Sequence, residues 1–124
     1  MKDLTQDTIK VDFKKRKIVA TVWVHQFKEG DFVMKVIPTL DISAYGRTVE
    51  QAEEMLTETV KVYLTSLLKQ GPSLTSEELR KYGFVPRTLL FPDRKEFSRS
   101  SVDADGNLKG FEIPSDAISA PMTF

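Results

Sequence analysis

The 124-residue chain contains no cysteine, a single histidine and a single tryptophan. The absence of cysteine excludes structural disulfides, thiolate zinc sites and cysteine nucleophiles. No apolar run approaches the ~18 residues that a membrane-spanning helix requires, and the N-terminal segment has no apolar signal core. We therefore expect a cytoplasmic protein without a membrane partner.

A net charge is also lacking, because 18 Lys and Arg residues balance 18 Asp and Glu residues. A domain that contacts many phosphates usually carries a clear basic excess. The composition therefore disfavours a nucleic-acid partner, although a count of this kind cannot reveal a local patch of cations. One cluster, KKRK at residues 14–17, lies between two strand patterns, and we interpret it as a solvated hairpin loop.

The first part of the chain has the pattern of an antiparallel sheet. Residues 8–13 alternate between apolar and polar side chains, and residues 18–27 are rich in β-branched and aromatic side chains. A Lys-Glu-Gly-Asp turn leads to a third strand at 32–37, and a short fourth strand can run from 40 to 44. The pattern predicts a meander of three to four strands.

A long amphipathic helix is predicted between Thr48 and Gly71. Thr48 and Gln51 have the spacing of a capping box, in which the side chains satisfy amide donors at the start of a helix. Apolar residues then recur at steps of three and four, and Gly71-Pro72 ends the pattern. We expect this helix to cover one face of the sheet.

The rest of the chain is less regular. Thr75 and Glu78 form a second capping-box pattern, which predicts a short helix that ends at Gly83. Residues 87–91 are a candidate strand, and residues 97–102 and 108–113 predict a hairpin around an Asp-Gly-Asn turn. We divide the chain into an α+β domain at 1–91 and a β-containing C-terminal extension at 92–124.

Residues 91–124 are rich in large apolar side chains. Aromatic rings of this size need to be buried, either in the core of the domain or against another chain. We predict that four of these residues anchor an interface with another protein: Phe91, Phe97, Phe111 and Ile113.

No residue pattern predicts catalysis, a cofactor or a metal site. His25 has no Ser, Cys or acidic partner nearby in the sequence, so we interpret it as a partly exposed sheet residue. A small hydrolase that uses His25 is the enzyme hypothesis kept for contrast. A calcium loop starting at Asp103 fails on spacing, because Leu108 and Pro114 occupy the positions that need Gly and Glu.

Residues 18–71 resemble the HicB antitoxin family. The similar features are Pro38 at the end of a strand, the Gly46-x-Thr48 turn, Glu50 and Ala52 at the start of the helix, and the Tyr63-Leu64 pair before Gly71. The resemblance implies a partial ribonuclease-H-like domain, in which a three-stranded antiparallel sheet is covered by one helix.

The resemblance also implies a function without catalysis. HicB-like proteins usually bind and block a small toxin that cleaves messenger RNA, and many carry a C-terminal DNA-binding segment. The tail of this chain has no helix-turn-helix or ribbon-helix-helix pattern, so we do not expect it to bind operator DNA alone. The alternative hypothesis is a homo-oligomeric structural module of HicB-like fold without a toxin, in which the partner is a second copy of the chain.

Overall fold

The described residues have an α+β fold, with seven strands in one antiparallel sheet and two α-helices. The computed structural model describes residues 6–87, 94–100 and 113–124. In chain order its elements are β1 (Gln6–Asp12), β2 (Lys17–Glu29), β3 (Phe32–Ile37), a 3-10 helix (Pro38–Leu40), β4 (Ile42–Gly46), α1 (Val49–Gln70), α2 (Pro72–Lys81), β5 (Val85–Arg87), β6 (Arg94–Ser100) and β7 (Ile118–Thr123).

The order of the paired strands is β4-β3-β2-β1-β6-β5, and β7 also pairs with β2. Successive strands from β1 to β4 are antiparallel neighbours, as the meander pattern predicts. The predicted size of three to four strands is wrong, because β5, β6 and β7 extend the same sheet. β6 pairs with β1 and β7 pairs with β2, which are far away in the sequence, so the local patterns could not reveal these two pairings.

β2 is long enough to pair with three other strands. Thr21 has partners in β1 and β7, whereas His25 has partners in β3 and β7. When a strand residue has two ladder partners, these partners lie on opposite edges of its strand. Since β7 is the second partner of both Thr21 and His25, β1 and β3 lie end to end along one edge of β2. β7 lies along the other edge.

Asp7 and Thr39 lie at the junction between β1 and β3. The Asp7 side chain is fully buried, and its carboxylate accepts hydrogen bonds from the Trp23 backbone N–H at 3.1 Å and from the Thr39 hydroxyl. These donors replace water around the buried charge, which would otherwise be costly. Asp7 thereby joins the two halves of the sheet along the β2 edge.

α1 covers one face of the sheet, as predicted, and begins and ends where the capping signals place it. Thr48 Oγ1 accepts a hydrogen bond from the Gln51 N–H at 3.1 Å, and Gly71 follows the last helical residue. The core between α1 and the sheet is formed by apolar side chains from both layers, including Leu56, Val60, Leu64 and Leu67 of the helix and Ile9, Val22 and Ile37 of the strands. No helix in the described part of the chain is long and apolar enough to cross a membrane.

The predicted start of the second helix at Thr75 is wrong. α2 begins at Pro72, directly after Gly71, whose φ of 85° turns the chain so that a new helix can start at once. Thr75 lies inside α2, fully buried, and its hydroxyl donates a 2.6 Å hydrogen bond to the Leu67 carbonyl of α1. The hydroxyl therefore links two helices and does not cap one.

The C-terminal part of the chain also differs from its prediction. β6 pairs with β1 on one edge and with β5 on the other, so Phe97 lies between Ile9 and Pro86. The hairpin partner predicted at residues 108–113 falls on the part of the chain that is not described, apart from Ile113. Residues 101–112 and the boundary predicted after residue 91 lie outside the described residues. β6 and β7 follow that boundary and belong to the same sheet as β1–β5.

Candidate functional site

One exposed, partly apolar groove of the described structure lies between the start of β3, the end of β4 and the first half of α1. Phe32 and Tyr45 form one wall, with ring centroids 5.5 Å apart and planes at 86°. The Arg47 guanidinium lies 5.8 Å from the centre of the Phe32 ring, within the range of a cation–π interaction. We call this cavity of about 790 Å³ the β4–α1 groove.

The local sequence explains why these side chains meet. Gly30, with a φ of 62°, turns β2 into β3 and brings Phe32 to the start of the new strand. β3 then pairs with β4, and Val33 lies opposite Gly46. A Cβ atom on Gly46 would lie 2.6 Å from the backbone nitrogen of Ala52, so only glycine allows α1 to begin this close to β4.

The helical side of the groove is acidic and contains one exposed apolar side chain. Met55 is 49 % exposed and faces the same cavity as Glu53, Glu54 and Glu58. Glu53 also lies 3.9 Å from the ammonium of Lys35, whose side chain is buried. Apart from Arg47, the charged side chains that line the groove are therefore negative. They line the same groove as the partly exposed rings of Phe32 and Tyr45.

Of the residues predicted to bind a protein, the structure describes Phe97 and Ile113, and neither lines this groove. Phe97 is 0 % exposed and belongs to the core of the described structure, and its contact with a partner stays a prediction. Ile113 is partly buried and lies outside the strands and the groove. Phe91 and Phe111 lie outside the residues that the structure describes.

Sequence patterns did not single out Phe32 and Tyr45, because strand alternation does not show which face of a sheet stays uncovered. One signal was available. Phe32 follows the β2–β3 turn and Tyr45 precedes the turn to α1, so both lie at the same end of adjacent antiparallel strands. Apolar side chains at such a sheet end lie near the first turns of a helix that starts there.

His25 has a partner that the sequence did not suggest. Its Nδ1 lies 2.6 Å from the hydroxyl oxygen of Ser119, 94 residues later in the chain, because β7 pairs with β2. The His25 ring also stacks on Trp23, with centroids 6.5 Å apart. Burial lowers the pKa of His25, and the negative charge of Asp7 opposes that effect. The expected partly exposed histidine is therefore a buried one.

The Ser119–His25 contact does not extend to Asp7 through a hydrogen bond. Nε2 of His25 is buried and has no hydrogen-bond partner in the structure, whereas Asp7 accepts hydrogen bonds from Trp23 and Thr39. A serine nucleophile is normally activated by a base that a third group orients. The geometry instead fits a contact that ties β7 to β2.

The acidic residues do not form a recognisable metal site in the described ranges. No group of three or more His, Asp or Glu side chains there is arranged to hold a metal ion. Asp12 accepts a 3.0 Å hydrogen bond from the Lys15 N–H, which lowers the pKa of its carboxyl group, and it forms an ion pair with Arg94. These contacts stabilise the β1–β2 turn.

Fold and site together define an α+β protein with a seven-stranded antiparallel sheet and an aromatic, acidic groove at one end of it. Comparison with protein-family models, with curated proteins and with solved structures finds no match in any of the three.

Proposed function

We propose that this chain is a non-catalytic protein-binding module of the HicB antitoxin type, which binds and neutralises a small mRNA-cleaving toxin. The observation that carries the proposal is the β4–α1 groove, where Phe32, Tyr45 and Met55 remain exposed beside three glutamates. Exposed aromatic and methionine side chains in a concave site are the usual anchors of a protein interface.

The groove lies within the segment that resembles the HicB family. All of its lining residues fall between 32 and 58, inside the matched range of 18–71. Three antiparallel strands, β2, β3 and β4, precede α1, and this order supports the resemblance. Sequence resemblance and exposed surface therefore support a binding function at the same place.

The charge of the groove specifies the partner further. Glu53, Glu54 and Glu58 outnumber Arg47 among the lining residues, and complementary charge speeds association and selects partners. The proposed toxin is therefore a small basic protein, which inserts an apolar side chain against Tyr45 and places Lys or Arg side chains near the glutamates.

The test is co-expression of the tagged chain with the product of the neighbouring gene, followed by pull-down and growth measurements. A groove variant, Tyr45→Ser with Met55→Ser, should lose both binding and protection from toxicity. A matched control, Val62→Ser with Leu74→Ser, removes two other apolar side chains that are more than half exposed, and should retain both binding and protection. A neighbour that is neither toxic nor bound, or equal loss in the two variants, would contradict the proposal.

The charge of the groove is tested separately. Glu54→Gln with Glu58→Gln removes two negative charges from the groove, and the control Glu77→Gln with Asp116→Asn removes two from other exposed positions. We expect the association rate to fall at low salt only in the groove variant, because steering depends on local charge. Glu53 is left intact because it pairs with the buried Lys35.

A second candidate is the homo-oligomeric module, and one observation favours it. β4 is paired only with β3 in the described sheet, and its side chains, ISAYG, include neither a charge nor a proline. An unprotected edge strand of this kind can pair with its own copy. Light scattering at two concentrations decides: a constant monomer mass contradicts self-pairing, and a dimer that survives dilution supports it.

A further inference from the structure

The charges of this neutral chain are separated in space. The first half of α1 carries Glu50, Glu53, Glu54 and Glu58, near the end of β2 at Glu29. The other end of β2, at Lys17, adjoins the exposed KKRK turn. The two ends are 12 residues apart on a strand that rises ~3.3 Å per residue. The acidic and basic ends of β2 therefore lie roughly 40 Å apart.

Pairing of β1 with β2 and β6 enlarges the basic end. Arg94 lies opposite Asp12, and Lys95 lies opposite Val11. Lys10 and Lys17 line the same shallow cavity of about 290 Å³ as Arg94 and Lys95. We call this surface the basic pole; it comprises Lys10, Lys14, Lys15, Arg16, Lys17, Arg94 and Lys95.

The positive charge of the basic pole is only partly neutralised. Among the described residues of this surface, seven cations face two carboxylates, Asp12 and Glu96, which leaves a net charge of +5. Asp12 forms an ion pair with Arg94, and no ion pair of residues 14–17 is found within the described structure. Six of the seven cations are exposed, the exception being Lys95, which is partly buried.

We propose that the basic pole binds the phosphate backbone of nucleic acid. A contiguous cluster of exposed Lys and Arg residues is the electrostatic signature of such a surface, even when the whole chain is neutral. The site lies at the opposite end of β2 from the β4–α1 groove, so this function is independent of toxin binding and could operate in its presence.

The composition of the basic pole favours nucleic acid over an acidic protein. Interfaces between proteins depend on buried aromatic or large apolar anchors. Among the described residues that line the cavity of the basic pole, Val19 is the only exposed large apolar one. Interfaces with nucleic acid are more polar and much more positively charged. Because the basic pole consists of Lys and Arg side chains that contact phosphates, the expected binding is independent of sequence.

The test is fluorescence anisotropy with the full-length chain and two labelled probes, a 20-nucleotide single-stranded RNA and a 20-base-pair duplex DNA, between 50 and 200 mM KCl. We expect binding at low salt that weakens steeply as salt rises, because bound phosphates release counterions. The two probes show whether the backbone that binds is single-stranded RNA or duplex DNA.

Two charge-matched triple variants locate the site. Lys10→Gln, Lys14→Gln and Lys15→Gln should weaken binding by more than about tenfold, and should reduce the salt slope by about two for the single strand. Lys28→Gln, Lys61→Gln and Lys69→Gln change the net charge equally at exposed positions elsewhere and should retain affinity. Circular dichroism and thermal unfolding confirm that both variants are folded.

Three results would overturn the inference. The first is no binding of either probe at 50 mM KCl, and the second is an equal loss of affinity in both triple variants. The third is competition by polyglutamate as effective as competition by unlabelled RNA, which would assign the basic pole to an acidic protein. None of these results bears on the toxin-binding groove, which is tested by different residues.

Discussion

Replacement of Phe97 by Ala tests whether β6 is part of the core or a surface for a partner. The ring is 0 % exposed, and its strand lies between β1 and β5. Truncation removes the ring from the core and leaves a cavity, which typically costs about 3–5 kcal/mol. The whole domain is expected to have a free energy of unfolding of about 5–15 kcal/mol, so this single change removes a large part of it.

The assay is urea unfolding followed by the fluorescence of Trp23, the single tryptophan, which lies in β2. We expect a lower midpoint with an unchanged slope, and a Tm that falls by roughly 10–20 °C. Phe32→Ala is the matched control, because Phe32 is 39 % exposed and the same truncation there should cost less than about 1.5 kcal/mol. A loss below about 1 kcal/mol for Phe97→Ala, together with loss of partner binding, would refute the placement of this ring in the core.

Three further changes test other parts of the structure. Gly46→Ala should lower the free energy of unfolding by about 1–3 kcal/mol, because the new Cβ would lie 2.6 Å from the Ala52 nitrogen. Gly30→Ala is the control, measured in the same urea unfolding assay. Its Cβ meets no atom within 4 Å, but the φ of 62° is unfavourable for alanine, so the free energy of unfolding should fall by only about 1 kcal/mol. Thr75→Val keeps the shape of a buried side chain but removes its hydrogen bond to the Leu67 carbonyl. The free energy of unfolding should therefore fall by about 1–3 kcal/mol. Thr65→Val, at an exposed position of α1, is the control. His25 has a lowered pKa in the folded state because of burial, so the unfolded chain binds more protons and stability should fall as the pH drops below about 6.5. His25→Gln should reduce this dependence between pH 7 and 5, and an unchanged profile would contradict the burial of the neutral ring.

Local signals in the sequence predicted the local parts of the fold. The Thr48–Gln51 capping box and the Gly71 stop define α1 because both act within a few residues. The antiparallel order of β2, β3 and β4 follows from two short turns. The second capping-box pattern failed at Thr75 because Pro72 is well suited to the first turn of a helix, and the positive φ of Gly71 allowed α2 to start earlier.

Pairings between distant segments could not be predicted in the same way. Phe97 pairs with Ile9, and Thr21 with Thr123, across most of the chain. The Ser119–His25 contact depends on the second of these pairings. A ring such as Phe97 looks the same in the sequence whether it fills the core or contacts a partner, and only the position of β6 between two strands decides.

The two candidate surfaces could also be predicted only in part from the sequence. The KKRK run at 14–17 was visible, but its neighbours Arg94 and Lys95 join it only through the pairing of β1 with β6. A balanced total of charges concealed a basic pole and an acidic groove at opposite ends of β2. The groove likewise needs Phe32, Tyr45 and Met55 from three different elements.

The most direct test of toxin binding at the β4–α1 groove is a hydrogen-exchange footprint of the chain with and without the purified product of the neighbouring gene. We expect slower exchange upon binding in residues 45–58, at the end of β4 and the first turns of α1, with no change in β6. Protection confined to residues 94–100 or 113–124 would contradict it and would place the interface in the C-terminal part of the chain.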